Sequence, residues 1–338
     1  MWPDTLYWIF IGIIDILAII LNAILIYFAL YRTPKMVRVY TTLIINLAFT
    51  DCCSAFLNFF VQQRMIPSGF TIGYISNGWC KLIGYRFCFL RHFLPLKRYR
   101  ISLNRSPPNH NLMAHFIVHS NYSLVLSFAY RYYILRKPEP RRKTLLIVLF
   151  FTYLPSFLQL VLYQFAESDP SEIVRLLQPY HPTYNFTGLT VSGVADIRSV
   201  YALYKILQMT VMTVPIFSTI LFLRNKIINR LLYRGINISI NTKSLHSQLL
   251  MALTYQALLP TLYSINVLMY VLEQFGVYST AFFENFLMSG LVLIPFFSPF
   301  TSFFFFTPYK RILLGMILKK IDKRPAATSE TGPGSFPI

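Results

Sequence analysis

Charge is scarce in this chain. Asp, Glu, Lys and Arg make up 13% of its 338 residues, about half the share found in soluble domains, which excludes an ordinary soluble enzyme. Acidic residues are the scarcest, 12 against 31 Lys and Arg, for a net charge of +19. A basic nucleic-acid binder would not combine that charge with a mean hydropathy of +0.51. Thirteen Gly and 20 Pro are too few for a disordered or collagen-like chain. Also lacking are HExxH, GxSxG, a glycine-rich phosphate loop and any CxxC pair, so the sequence offers no catalytic constellation, metal site or cofactor cradle.

What is abundant is apolar bulk. Hydrophobic residues reach 55%, with 31 Phe and 23 Tyr. A helix needs about 20 mostly apolar residues to cross the hydrocarbon core of a bilayer. Six runs of that kind stand out, at Leu6 to Tyr31, Tyr40 to Val61, Thr144 to Tyr163, Ser199 to Leu223, Ser247 to Leu272 and Phe282 to Phe306. A seventh, Asn111 to Tyr130, is interrupted by His115, His119 and Asn121. The first run has no basic flank and exceeds the length of a cleavable signal's core, so it reads as a membrane helix. The expected fold is an all-α bundle of seven transmembrane helices within residues 1–320.

Loop charge sets the orientation, because cytoplasmic loops retain Lys and Arg. With the N-terminus outside, 20 of these residues fall in inner segments and 10 in outer ones, with Lys205 inside a span. The chain is therefore expected N-out and C-in, with anionic lipid of the inner leaflet as a partner. After the last span, Pro308 to Lys320 interleaves apolar and basic residues in a pattern suited to a short helix on the inner membrane surface. Residues 321–338 read as a disordered tail.

One segment breaks the pattern. Residues 91–110 carry five Lys or Arg, two His and three Pro. They read either as an enlarged first outer loop before a shortened third helix, or as a retained intron that separates Phe87–Leu90 from Asn111. Of four cysteines, Cys52 and Cys53 lie inside the second span as small apolar fillers. Cys80 and Cys88 lie outside, where a bridge between them requires a loop.

Ionisable residues within spans are costly and therefore functional candidates. Asp51 sits deep in the second span, as a structural hydrogen-bonding group or a conformational switch. Lys205 and Glu284 lie nearer the outer surface, where snorkelling is the competing reading. Arg131, at the inner end of the third span, either anchors to lipid phosphate or belongs to a switch. The late spans are punctuated by Pro155, Pro215, Pro260, Pro295 and Pro299, each removing a backbone donor.

Seven spans, a Tyr130-Arg131-Tyr132 triplet at the inner end of the third and Pro-Tyr-Lys after the last form a pattern that resembles G-protein-coupled receptors. More narrowly, QQRMIPSG (62–69), HSNYSLVLSFAYRYYIL (119–135), LHSQLLMALTYQALLP (245–260) and SPFTSFFFFTPYK (298–310) resemble the nematode serpentine chemoreceptors of class delta. The resemblance covers nearly the whole chain except residues 91–110. NLAFTD (46–51) is similar to the second-helix motif of rhodopsin-like receptors, whereas Tyr130 stands where those receptors carry an acid. The second outer loop also lacks the cysteine that usually bridges to the third helix.

The resemblance implies a chemosensory receptor in the plasma membrane of sensory cilia, with a small-molecule ligand and a heterotrimeric G protein as partners. Only about five residues precede the first span, so the ligand is expected in the outer half of the bundle. His115, His119, Lys205, Met209, Tyr263, Asn266, Tyr270 and Glu284 are the candidate ligand residues. Asp51, Tyr130, Arg131, Tyr132 and Arg136 are the candidates for coupling. A transporter or ligand-gated channel is the alternative. Asn185, in an Asn-Phe-Thr sequon of the second outer loop, is the expected glycosylation site, and Asn237, in an inner loop, is expected to stay unmodified.

Overall fold

The computed structural model describes residues 2–33, 38–80, 109–233, 248, 250–251, 254–278, 280–305 and 309–315. Nearly all of 91–110, together with Cys88, Asn237 and the tail 321–338, lies outside the described residues. Of the surface helix expected after the last span, residues 309–315 are helical and 316–320 lie outside.

Seven helices are long and apolar enough to cross a membrane: Leu6–Tyr31, Val39–Val61, Asn111–Ile134, Arg142–Tyr163, Val200–Arg230, Thr254–Gln274 and Ala281–Phe305. Outer and inner denote the two ends of this bundle in the orientation set by loop charge. The third and seventh spans are the most buried within the protein and the fourth and fifth among the least. Ile9, Phe10 and Ile13 of the first span, and Phe150, Phe151 and Phe157 of the fourth, stay exposed on the bundle surface, as lipid-facing side chains must.

The third helix is not shortened. It runs from Asn109 to Ile134, and 26 residues at 1.5 Å each reach about 39 Å, so it crosses without help from Phe87–Leu90. Its extra turn beyond Tyr130 is packed at the inner end, where Tyr130, Tyr40, Leu43, Leu145 and Phe303 share one core cluster.

Two spans depart from regular α geometry where sequence chemistry requires it. In the fifth, Leu207–Val211 forms a π turn, with the Met212 N–H donating to the Leu207 carbonyl at 2.9 Å. Pro215 lies just beyond and has no N–H to offer the Val211 carbonyl. In the seventh, Gly290–Val292 is a 3-10 turn, and the Pro295 carbonyl is taken by the Asn22 side-chain amide at 2.9 Å.

The outer loops add a three-stranded antiparallel sheet that hydropathy did not announce. Strands β1 (Gln63–Ser68), β2 (Thr71–Ser76) and β3 (Thr190–Val194) lie in that order. β1 and β2 form a hairpin pairing Ser68 with Thr71. Gly69, at φ 59°, supplies the left-handed first position of its two-residue turn. β3 comes from the distant second outer loop and pairs Val194 with Ile72 and Ser192 with Tyr74. The period-2 alternation of strands divides the faces. Met65, Ile72, Tyr74 and Val194 pack into the core of the bundle. Ile66, Ile75 and Val191 pack instead under Ile173 and Leu177 of the short helix Pro170–Leu177. The sheet is thus covered on both faces, and it roofs the bundle.

Candidate functional site

Directly beneath that roof lies a cavity of about 70 Å3. Met65, Ile72, Tyr74 and Val194 of the sheet form its ceiling. Tyr163, Lys205 and Met209 line it from the fourth and fifth spans, Asn266 and Tyr270 from the sixth, and Leu287 and Leu291 from the seventh region. Its surface is overwhelmingly apolar, the composition expected of a small-molecule site with a few polar anchors.

Among the described residues Lys205 is the only charged side chain lining the cavity. It does not snorkel. It is 5% exposed, and its Nζ donates to Asn111 Oδ1 at 3.2 Å while standing 3.6 Å from the Tyr163 ring centre and 5.4 Å from that of Tyr74. Tyr163 donates from its hydroxyl to the Tyr74 hydroxyl at 3.2 Å, which fixes the aromatic faces against the amine. Burial pushes the Tyr74 phenol up to about 12, so this ring remains neutral. Asn266 spends its amide N–H on the Leu262 carbonyl at 2.8 Å, leaving Oδ1 buried without a partner.

Of the ligand candidates read from sequence, Lys205, Met209, Tyr263, Asn266 and Tyr270 come together on this cavity. His115, His119 and Glu284 are not among its lining residues. His115 Nε2 meets the Tyr153 hydroxyl at 2.8 Å, and His119 Nε2 meets Asn46 Oδ1 at 3.3 Å, so the pair ties the third span to the fourth and second. At 3.6 residues per turn, a side chain two four-residue steps along a helix has swung by about 80°. That drift separates His119 from Asn111, which does reach Lys205.

Glu284 does not snorkel either. It is fully buried, and its carboxylate accepts from Arg64 of β1 at 2.6 Å and from the Tyr184 hydroxyl at 3.0 Å. The Arg64 guanidinium also lies over the Tyr184 ring at 4.9 Å. Two further bonds hold the roof: Gln274 donates to the Gly69 carbonyl at 2.6 Å, and Ser68 Oγ pairs with His181 Nε2 at 2.8 Å. Arg64, Tyr74, Asn111 and Tyr163 were missed in the sequence. The one local signal for the roof was Ser-Gly-Phe between two short β-prone runs, a hairpin pattern.

At mid-bundle Asp51 accepts from Ser120 at 3.0 Å. At the inner end Arg131 is 3% exposed and stands over the Tyr40 ring at 4.2 Å, a burial at odds with an anchor to lipid phosphate. Tyr40 also stacks on Tyr130, whose hydroxyl donates to Glu139 at 2.8 Å. Arg136 covers the Tyr132 ring at 4.4 Å. An aromatic ring thus stands directly beside the arginine. On the outer side, Cys80 is disulfide-bonded, while Cys52 and Cys53 are free. No group of three metal-binding side chains occurs among the described residues.

The family model described as serpentine type seven-transmembrane GPCR chemoreceptor Srd matches residues 7–103 and 106–315. Serpentine receptor class delta-18 of Caenorhabditis elegans is 35% identical over 295 residues, covering 86% of this chain and 82% of that protein. Class delta-19 of the same organism is 34% identical over 323 residues, covering 94% and 90%. Class delta-3 is 29% identical over 324 residues, covering 94% and 89%.

Proposed function

The chain belongs to the Srd family of serpentine seven-transmembrane chemoreceptors, and from that premise we propose that it binds a small molecule in the roofed outer cavity and activates a heterotrimeric G protein at its inner face. The observation that carries this reading is the cavity itself, a largely apolar pocket between the sheet and the fourth to seventh spans with the buried Lys205 amine in its wall. Ligand that favours one arrangement of these spans over another shifts the bundle between states. The fifth span, broken by its π turn next to Lys205 and Met209, then carries the change inward, since π turns commonly mark functional sites.

At the inner end, Arg131 leaves its ring contact with Tyr40 and becomes available to the G protein. The contact is worth about 2 kcal/mol when desolvated, a hold that differential ligand binding of ordinary size can overcome. The receptor works in the plasma membrane, in sensory cilia, as a chemosensor.

The experiment is nucleotide exchange by a G protein mixed with the full chain in lipid nanodiscs, with odorants and small metabolites as stimuli. Stimulated exchange is expected, and Arg131→Ala is expected to abolish it while leaving surface delivery in cells intact. A stimulus that instead evokes ion current in cells lacking G proteins overturns the receptor reading. Unchanged exchange by Arg131→Ala removes that residue from the switch.

A further inference from the structure

Lys205 is buried in the cavity wall with less compensation than an ammonium requires. Among the described residues its Nζ has one hydrogen-bond acceptor, Asn111 Oδ1, and two ring faces. No carboxylate stands within ion-pair distance of it there; Glu167 acts on it only through the field. A buried ammonium without a counter-ion is strongly disfavoured. Beside it is a second uncompensated donor. Asn111 is 2% exposed, and the Nδ2 of the same amide that accepts from Lys205 is buried with no hydrogen-bond partner. An amine with N–H groups to spare and an orphaned amide N–H thus lie side by side, Lys205 lining a largely apolar chamber and Asn111 adjoining it through Lys205.

We infer that the ligand of this receptor is a small organic carboxylate with an apolar body, its carboxylate seated on Lys205 and Asn111 and its chain among Met65, Ile72, Val267 and Leu291. The inference rests on the reading of this cavity as the ligand site. A carboxylate accepts on two oxygens, and charge-assisted bonds of this kind are roughly twice as strong as neutral ones. It supplies the counter-charge that the Lys205 ammonium lacks, and its second oxygen takes the Asn111 N–H. The alkyl body replaces water against apolar walls. The same geometry discriminates against two other classes. A protonated amine of equal length meets like charge, and a neutral alcohol or amide leaves the ammonium uncompensated. Tyr163 and Tyr74 offer the ammonium their ring faces and not an anion.

The test is binding of butanoate, hexanoate and octanoate to the full chain in nanodiscs at neutral pH, compared with hexanamide, hexan-1-ol and hexylamine. Ligand-observed NMR reports the binding and thermal unfolding gives a second reading. Hexanoate is expected to bind at least tenfold more tightly than hexanamide, and hexylamine not at all. Lys205→Met is expected to erase the preference while leaving hexan-1-ol binding in place, and Lys205→Arg to retain it in part. Ala202→Phe, which fills the chamber, is expected to abolish all of it. If the neutral probes bind, are lost in Ala202→Phe, and match hexanoate in affinity, the cavity is a ligand site and the carboxylate inference is wrong. If binding survives Ala202→Phe, the cavity reading itself falls and the inference falls with it. A wild-type chain that binds no carboxylate in the series overturns the inference without recourse to any variant.

Discussion

Replacing Arg64 by Met isolates the latch between the roof and the bundle. Among the described residues Arg64 is the one cation paired with Glu284, at 2.6 Å, and the Glu284 side chain is wholly buried while that of Arg64 is 17% exposed. Met keeps most of the apolar stem of the side chain and removes the charge, so the variant leaves Glu284 buried with only the Tyr184 hydroxyl at 3.0 Å. Removing one partner of a buried pair costs about 3–5 kcal/mol, and each 1.4 kcal/mol is a factor of ten, so opening of the sheet should become roughly 100- to 4,000-fold more frequent. The assay is amide hydrogen exchange across β1 and β2 in nanodiscs. Arg64→Met with Glu284→Gln, which deletes both charges, should recover most of the protection, because the cost arises from the stranded carboxylate and not from a missing attraction. A single variant that exchanges within tenfold of the native chain, or a double variant no better protected than the single, would refute this account of the latch.

Two further outcomes follow from the outer surface. Asn185 is exposed and its Oδ1 accepts from the Thr187 N–H at 2.9 Å, a turn that holds the sequon open. Glycosidase treatment should therefore shift the mass of the native chain but not of Asn185→Gln, and a glycan on Asn237 would reverse the assigned orientation. His181 tests acid sensitivity, because burial lowers its pKa against the opposing pull of Glu284, with Arg64 adding to the lowering. A histidine whose folded pKa is depressed leaves stability undiminished above its unfolded value of about 6.5 and erodes it as pH falls below that value. Protection of residues 170–194, after correction for the intrinsic pH dependence of amide exchange, should fall between pH 7.5 and 5.5, and less so in His181→Gln; unchanged corrected protection in the native chain would contradict the burial argument.

The spans were legible because a bilayer leaves the chain almost no choice. Every backbone group inside it must be satisfied within the segment, so length and apolarity alone locate the seven helices. The third shows where that signal weakens. His115, His119 and Asn121 dilute its apolar run, and its inner end was placed at Tyr130, although the helix continues to Ile134. The polar residues were compatible because partners on other spans absorb them: Tyr153 for His115, Asn46 for His119. Such partners are invisible to a reading that treats each span alone.

The roof was hidden for a different reason. Its central strand pairs with residues more than a hundred positions away, and beyond the hairpin signal between β1 and β2 no local pattern announces a third strand from a separate loop. That omission propagated into the ionisable residues. Lys205 and Glu284 lie near the outer surface, and with no roof above them snorkelling to water is the cheaper course. With the roof in place, Tyr74 of β2 and Arg64 of β1 supply the ring face and the guanidinium that make burial tolerable. The same sheet that closes the cavity therefore decides the state of the two charges nearest to it. A ligand entering between the roof and the spans must disturb one of these contacts or replace it. Replacing the contacts of Lys205 is the less costly route, because the amine has spare N–H donors, whereas Glu284 is already bonded on both oxygens.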